Sequence, residues 1–165
     1  PTIILFPGVF GDSLQGYSFE LVKQVQQKLK WRVCVVHRRG YGGMPIRGEM
    51  ISSFARHEET QDVLSAVQRN FPDSNLYAVG VSLGAQAIQR YLIEYGESAL
   101  VKGALTVGSP WNAHATAERL NQSKLCNFFM MNDFRQRMKS HMHEPNFLRI
   151  MKNRGLSEGK PTGMS

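Results

Sequence analysis

Gly80-Val81-Ser82-Leu83-Gly84 has residue types and spacing that suit nucleophilic chemistry. A serine flanked at two residues on each side by glycine fits a sharp strand-to-helix turn. The serine backbone there is forced into a rare conformation, and the incoming helix must pass close by. The apolar run Leu76-Tyr77-Ala78-Val79 precedes the turn and a helical pattern starts near Ala85. A hydroxyl held at that point sits beside free amides and the positive end of the helix dipole. The Leu83 N–H is therefore a candidate donor to an oxyanion. Acyl transfer through Ser82 is the chemistry this pattern predicts.

A second constellation, Pro7-Gly8-Val9-Phe10-Gly11, follows the first apolar run. Gly8 lets the backbone approach a carbonyl closely, which makes the Val9 N–H the first candidate for a second oxyanion donor and Phe10 the next. A plain strand-exit turn is the competing explanation. A third, His37-Arg38-Arg39-Gly40-Tyr41-Gly42-Gly43, lacks the Lys-Ser/Thr of a phosphate-binding loop and is read as architectural, with His37 structural. The five histidines show no ligand spacing with Cys or Asp, so no metal site and no cofactor is expected.

These turns need elements to position them. Thr2 to Phe6, Arg32 to His37, Leu76 to Val81 and Ala104 to Gly108 read as strands, all four expected to be buried on both faces. Between them, Tyr17 to Lys30, Glu59 to Phe71 and Gly84 to Tyr95 place apolar residues at helical spacing. Strand and helix alternating in this way predict an α/β fold, a parallel sheet of about four strands with helices on both faces. After Gly108 no clear strand appears, and Ala113 to Met138 and Pro145 to Lys152 look helical and rich in Phe and Met. The expected organisation is a core over residues 1–112, a lid-like helical segment over 113–154 and a disordered tail over 155–165.

With 165 residues, 42% hydrophobic and 20% charged, the chain is a single globular unit, not a disordered or repetitive one. No stretch approaches the length needed to cross a bilayer. The chain starts at Pro1 and moves straight into a strand, so an upstream segment is expected to exist. Cys34 and Cys126 read as buried free thiols, a weak pointer to a reducing compartment. Of the twenty Lys and Arg, nine lie from Arg119 onward, against Asp133, Glu144 and Glu158. No zinc spacing, recognition helix or RNA-binding signature accompanies that basicity, which argues against nucleic acid. It suits an anionic membrane surface instead. Phe128, Phe129, Met130 and Phe134 would insert while Arg135, Arg137 and Lys139 meet headgroups, the alternative being a helix packed on the domain.

Taken together, PTIILFPGVFG, VCVVHRRGYGG, LYAVGVSLGAQAI and GALTVGSPW resemble a branch of the α/β-hydrolase superfamily. That branch comprises membrane-associated "α/β-hydrolase domain" esterases, acylglycerol lipases and phospholipases, with bacterial and plant hydrolase relatives. The likeness covers roughly residues 1 to 112. It implies a partial α/β-hydrolase fold with the Ser82 strand interior to the sheet. It also implies Ser82 as nucleophile, the Val9 and Leu83 amides as oxyanion hole, and an acyl ester or lipid as substrate. Membrane association through an anchor outside this sequence, or a cytoplasmic location, would be expected.

The resemblance stops at the end of the chain. Such enzymes carry their acid and histidine after later strands. Asp133 followed by His141 or His143 keeps that order, but on one continuous helix Asp133 and His141 would lie about 12 Å apart. The chain is thus expected to lack its Asp and His partners, to be a fragment or truncated isoform, and to be nearly inactive by itself. The alternative is a non-catalytic module of the same fold that binds a ligand or partner.

Overall fold

A computed structural model of the chain describes residues 1–47 and 56–153. Four strands, β1 (Thr2–Phe6), β2 (Arg32–Val35), β3 (Leu76–Val81) and β4 (Val101–Val107), form one parallel sheet in the order β2-β1-β3-β4. Thr2 pairs with Arg32 on one side of β1 and with Leu76 on the other, and Phe6 pairs with Gly80. A register irregularity at Leu76/Tyr77 then sets Tyr77 against Gly103 and Val81 against Val107. The strand ending at the serine is interior, as the resemblance implied.

Alternation along β1 explains how both faces are covered. Ile4 and Phe6 point to one side, where Leu64 of α2 (His57–Asn70) and Ile88 and Tyr91 of α3 (Leu83–Tyr95) join them in a closed cluster. Ile3 and Leu5 point to the other side and meet Val25 of α1 (Gly16–Leu29) together with Val79. Every residue of β1 is buried, so the run TIILF carries no polar alternation.

The expectation that all four strands are buried on both faces fails for the outer two. In β2 Arg32 is exposed and the rest are half-buried, and in β4 Leu105 is 58% and Val107 48% exposed. Both sit on the α1 face, beside Val79 and Val81 in register, but α1 packs over β1 and β2 and does not reach them. β2 also ends before His37. The Val36 N–H still donates to Leu5 O, after which His37 turns away to meet Ser13.

The helical stretch expected over Ala113 to Met138 consists of two helices, α4 (Ala113–Gln122) and α5 (Lys124–His141). Asn112 and Ser123 each cap a helix, accepting from the N–H of Ala115 and of Cys126. α6 (Pro145–Asn153) follows, its Phe147 and Ile150 buried against Ile46. Cys126, expected to be buried, is exposed on α5, whereas Cys34 is half-buried, where burial pushes its thiol pKa up. Both cysteines are free. The tail over 155–165 lies outside the described residues.

Candidate active site

The turn between β3 and α3 holds Ser82 at φ 53°, ψ −117°, a backbone conformation that L residues rarely adopt. Three close approaches enforce it. A Cβ added to Gly80 would come within 2.6 Å of Ala85 Cα, and one on Gly84 would overlap the carbonyl oxygen of Phe6. The Ser82 N–H, meanwhile, donates to Val107 O at 2.8 Å. The glycines of the motif are thus contact points between backbones, and the serine's own amide is consumed by β4.

The loop after β1 closes on this turn. A Cβ on Gly8 would lie 3.2 Å from Ser82 Cβ and 3.8 Å from Ser82 Oγ, so the Gly8 backbone borders the serine side chain directly. Residues 8–11 form a turn closed by Gly11 N–H to Gly8 O at 3.0 Å, with Phe10 at φ 62°. The Gly8 N–H is occupied, donating to the Tyr17 hydroxyl at 3.1 Å. Neither the Val9 N–H nor the Leu83 N–H has an acceptor among the described residues. The Phe10 N–H, the next candidate in that loop, likewise has no acceptor among the described residues.

No imidazole or carboxylate among the described residues hydrogen bonds Ser82 Oγ, and Asp133 and His141 are engaged elsewhere. Asp133 pairs with Arg137 Nε at 3.2 Å. His141 faces Glu144 Oε1 at 2.6 Å through Nδ1 and Gly40 O at 2.9 Å through Nε2. Glu144 also accepts from the Ile46 N–H at 2.8 Å. The His141 hydrogen bond and then the Ile46 N–H hold the Glu144 carboxyl below its usual range. His37 bridges Ser13 at 2.9 Å and Gly42 O at 3.2 Å, which agrees with a structural role. Among the described residues no cluster of ligating side chains could hold a metal ion.

Two features escaped the sequence reading. Arg137, expected to face lipid headgroups, instead donates through Nη2 to Phe10 O at 2.7 Å. The Asp133–Arg137 spacing was legible as an i,i+4 pair, but a contact across 127 positions leaves no local signal. The second is the small apolar cavity between α5 and the site loops, lined by Phe10, Tyr41, Ile46, Phe134, Met138 and Phe147.

Comparison with known proteins identifies the fold family. The pattern of the family described as "alpha/beta hydrolase fold" fits residues 1–149. Phospholipase ABHD3 of Mus musculus is 27% identical over 146 residues, covering 87% of this chain and 35% of that protein. The medium-chain fatty acid ethyl ester synthase/esterase 2 of Saccharomyces cerevisiae is 26% identical over 122 residues, 74% of this chain and 27% of its own length. Monoacylglycerol lipase of the same yeast is 23% identical over 125 residues, 76% of this chain and 28% of its own. The chain therefore spans roughly a third of the length of the curated relatives it matches.

Proposed function

The chain belongs to the α/β-hydrolase fold family, and on that premise we propose that it carries the nucleophile and oxyanion hole of a serine hydrolase acting on carboxylic esters. In this reading Ser82 Oγ attacks the ester carbonyl carbon and its proton passes to a general base. The resulting oxyanion takes hydrogen bonds from the Val9 and Leu83 amides. Collapse expels the alcohol, and water releases the acid from the acyl-serine. One observation carries the reading: a serine in a left-handed backbone conformation at the head of α3, bordered by Gly8, with an unengaged amide on each side.

Substrate class follows from chemistry and kinship together. The cavity beside Phe10 has mostly apolar walls, with Arg39, Arg137 and His141 among its lining, and at about 70 Å³ it has room for a short aliphatic segment only. The relatives are named a phospholipase, an ester synthase/esterase and a monoacylglycerol lipase. We assign the substrate to acyl esters of that lipid kind. Peripheral membrane contact belongs to the same proposal. Leu125, Phe128 and Phe129 are exposed on α5 alongside Lys124, Arg135 and Lys139, although no helix among the described residues is long and apolar enough to cross a membrane.

The reading requires an imidazole beside Ser82 Oγ, which none of the described histidines supplies. A binding module of the same fold with no turnover is the second reading. Fluorophosphonate labelling of the intact protein that carries this sequence decides between them. Labelling that disappears in Ser82→Ala supports the hydrolase. Equal labelling of both proteins removes the nucleophile assignment, and no labelling of either supports the module.

A further inference from the structure

The turn that carries Val9 is held from a distance. Its corner residue Phe10 has φ 62°, a strained conformation for a non-glycine residue that persists only where its surroundings over-determine it. The Phe10 carbonyl accepts from Gln15 Nε2 at 3.2 Å and from Arg137 Nη2 at 2.7 Å. The Arg137 guanidinium also lies 5.3 Å from the centroid of the Phe10 ring and 5.5 Å from that of Tyr41, two rings that are themselves stacked at 6.4 Å. Its Nε donates to Asp133, which fixes the fork from behind. One side chain on α5 thus grips both the carbonyl and the ring of the residue next to Val9. With 29% of its surface exposed, that charge-assisted contact is partly shielded from water.

We propose that Arg137 is a positioning residue of the ester-hydrolase site, setting through Phe10 the angle at which the Val9 N–H faces the Ser82 oxygen. Docking of α5 is thereby coupled to assembly of the oxyanion pair. The inference rests on the roles proposed above for Ser82 and Val9. Its physical basis is that an oxyanion donor works only when aimed at the place where charge develops, so a shift of about 1 Å costs rate steeply. Arginine suits the task because its planar fork donates in two directions while stacking on rings. A lysine there reaches one acceptor and offers no plane.

Arg137→Met and Arg137→Lys, made in the intact protein, test this with p-nitrophenyl butyrate turnover and with NMR exchange of the Gly11 amide that closes the turn. Arg137→Met is expected to lower kcat roughly 10- to 100-fold while KM stays within about threefold. Arg137→Lys is expected to recover only a small part of the loss, and the Gly11 amide to exchange faster in both variants. Wild-type kcat in Arg137→Met, or unchanged Gly11 exchange, overturns the proposal. So does a loss of kcat that merely follows a fall in melting temperature and is restored in full by Lys. Ser82→Ala in the same assay separates the two levels. If it keeps turnover, the nucleophile reading falls, and Gly11 exchange still decides whether Arg137 holds the loop.

Discussion

Three residues of the Gly80–Gly84 turn are each fixed by a neighbour. Gly84 meets the Phe6 carbonyl, Gly80 meets Ala85, and Ser82 gives its amide to Val107. The serine is the member that bears the cost, because its φ of 53° suits glycine better than any L side chain. A glycine at 82 relieves that cost, partly offset by the extra freedom it gives the unfolded chain. Ser82→Gly is therefore expected to be more stable than the wild type by about 1 kcal/mol in denaturant titration while losing all fluorophosphonate labelling. A variant no more stable than Ser82→Ala contradicts the account of the turn. This motif was legible in sequence because its constraints are local: small residues two positions either side of a serine, between a strand pattern and a helix pattern.

Elements were legible in proportion to how evenly they are covered. β1 and β3 match their expected bounds because both are interior, so their apolar runs end where the sheet ends. β4 starts earlier than expected, since Val101-Lys102-Gly103 pairs with β3 but mixes polar and small residues that blur the run. The break between α4 and α5 was signalled by Ser123, a capping residue inside an otherwise helical stretch. The anchorage of α5 and α6 had no such signal, because it joins residues about 100 positions apart: His141 to Gly40, and Glu144 to Ile46. That anchorage is expected to be acid-sensitive. The folded state holds Glu144 below its ordinary value of 4.5, so the stabilisation is present above that value and is lost as pH falls through the lower, folded-state one. The Ile150 methyl resonances should broaden or shift in that acid range in the wild type, and Glu144→Gln should show no such step. A step that survives in Glu144→Gln assigns the transition to another group.

At the scale of the whole molecule, the apolar surface is divided between a closed core and an open flank. Leu105, Val107 and Trp111 stand exposed along β4 and just beyond it, and β4 pairs only with β3 among the described residues. On α5 the exposed Leu125, Phe128 and Phe129 lie among Lys124, Arg135 and Lys139, which make no ion pair among the described residues, whereas Arg137 is tied inward. Membrane contact, if it uses α5, should therefore depend on Lys124, Arg135 and Lys139. Sedimentation with phosphatidylserine vesicles should weaken at least several-fold in the triple Lys/Arg→Gln variant and at high salt. Binding that ignores both changes excludes this face.

The central position of β1 has a consequence for synthesis. TIILF is flanked by β2 on one side and by β3 on the other, yet β3 leaves the ribosome about 70 residues later, roughly 4–15 s at ordinary elongation rates. During that interval the most water-averse ribbon of the polypeptide has at most one neighbour. A holdase at the exit tunnel, or a fast passage of the codons for residues 7–31 that brings β2 out sooner, would shorten its exposure.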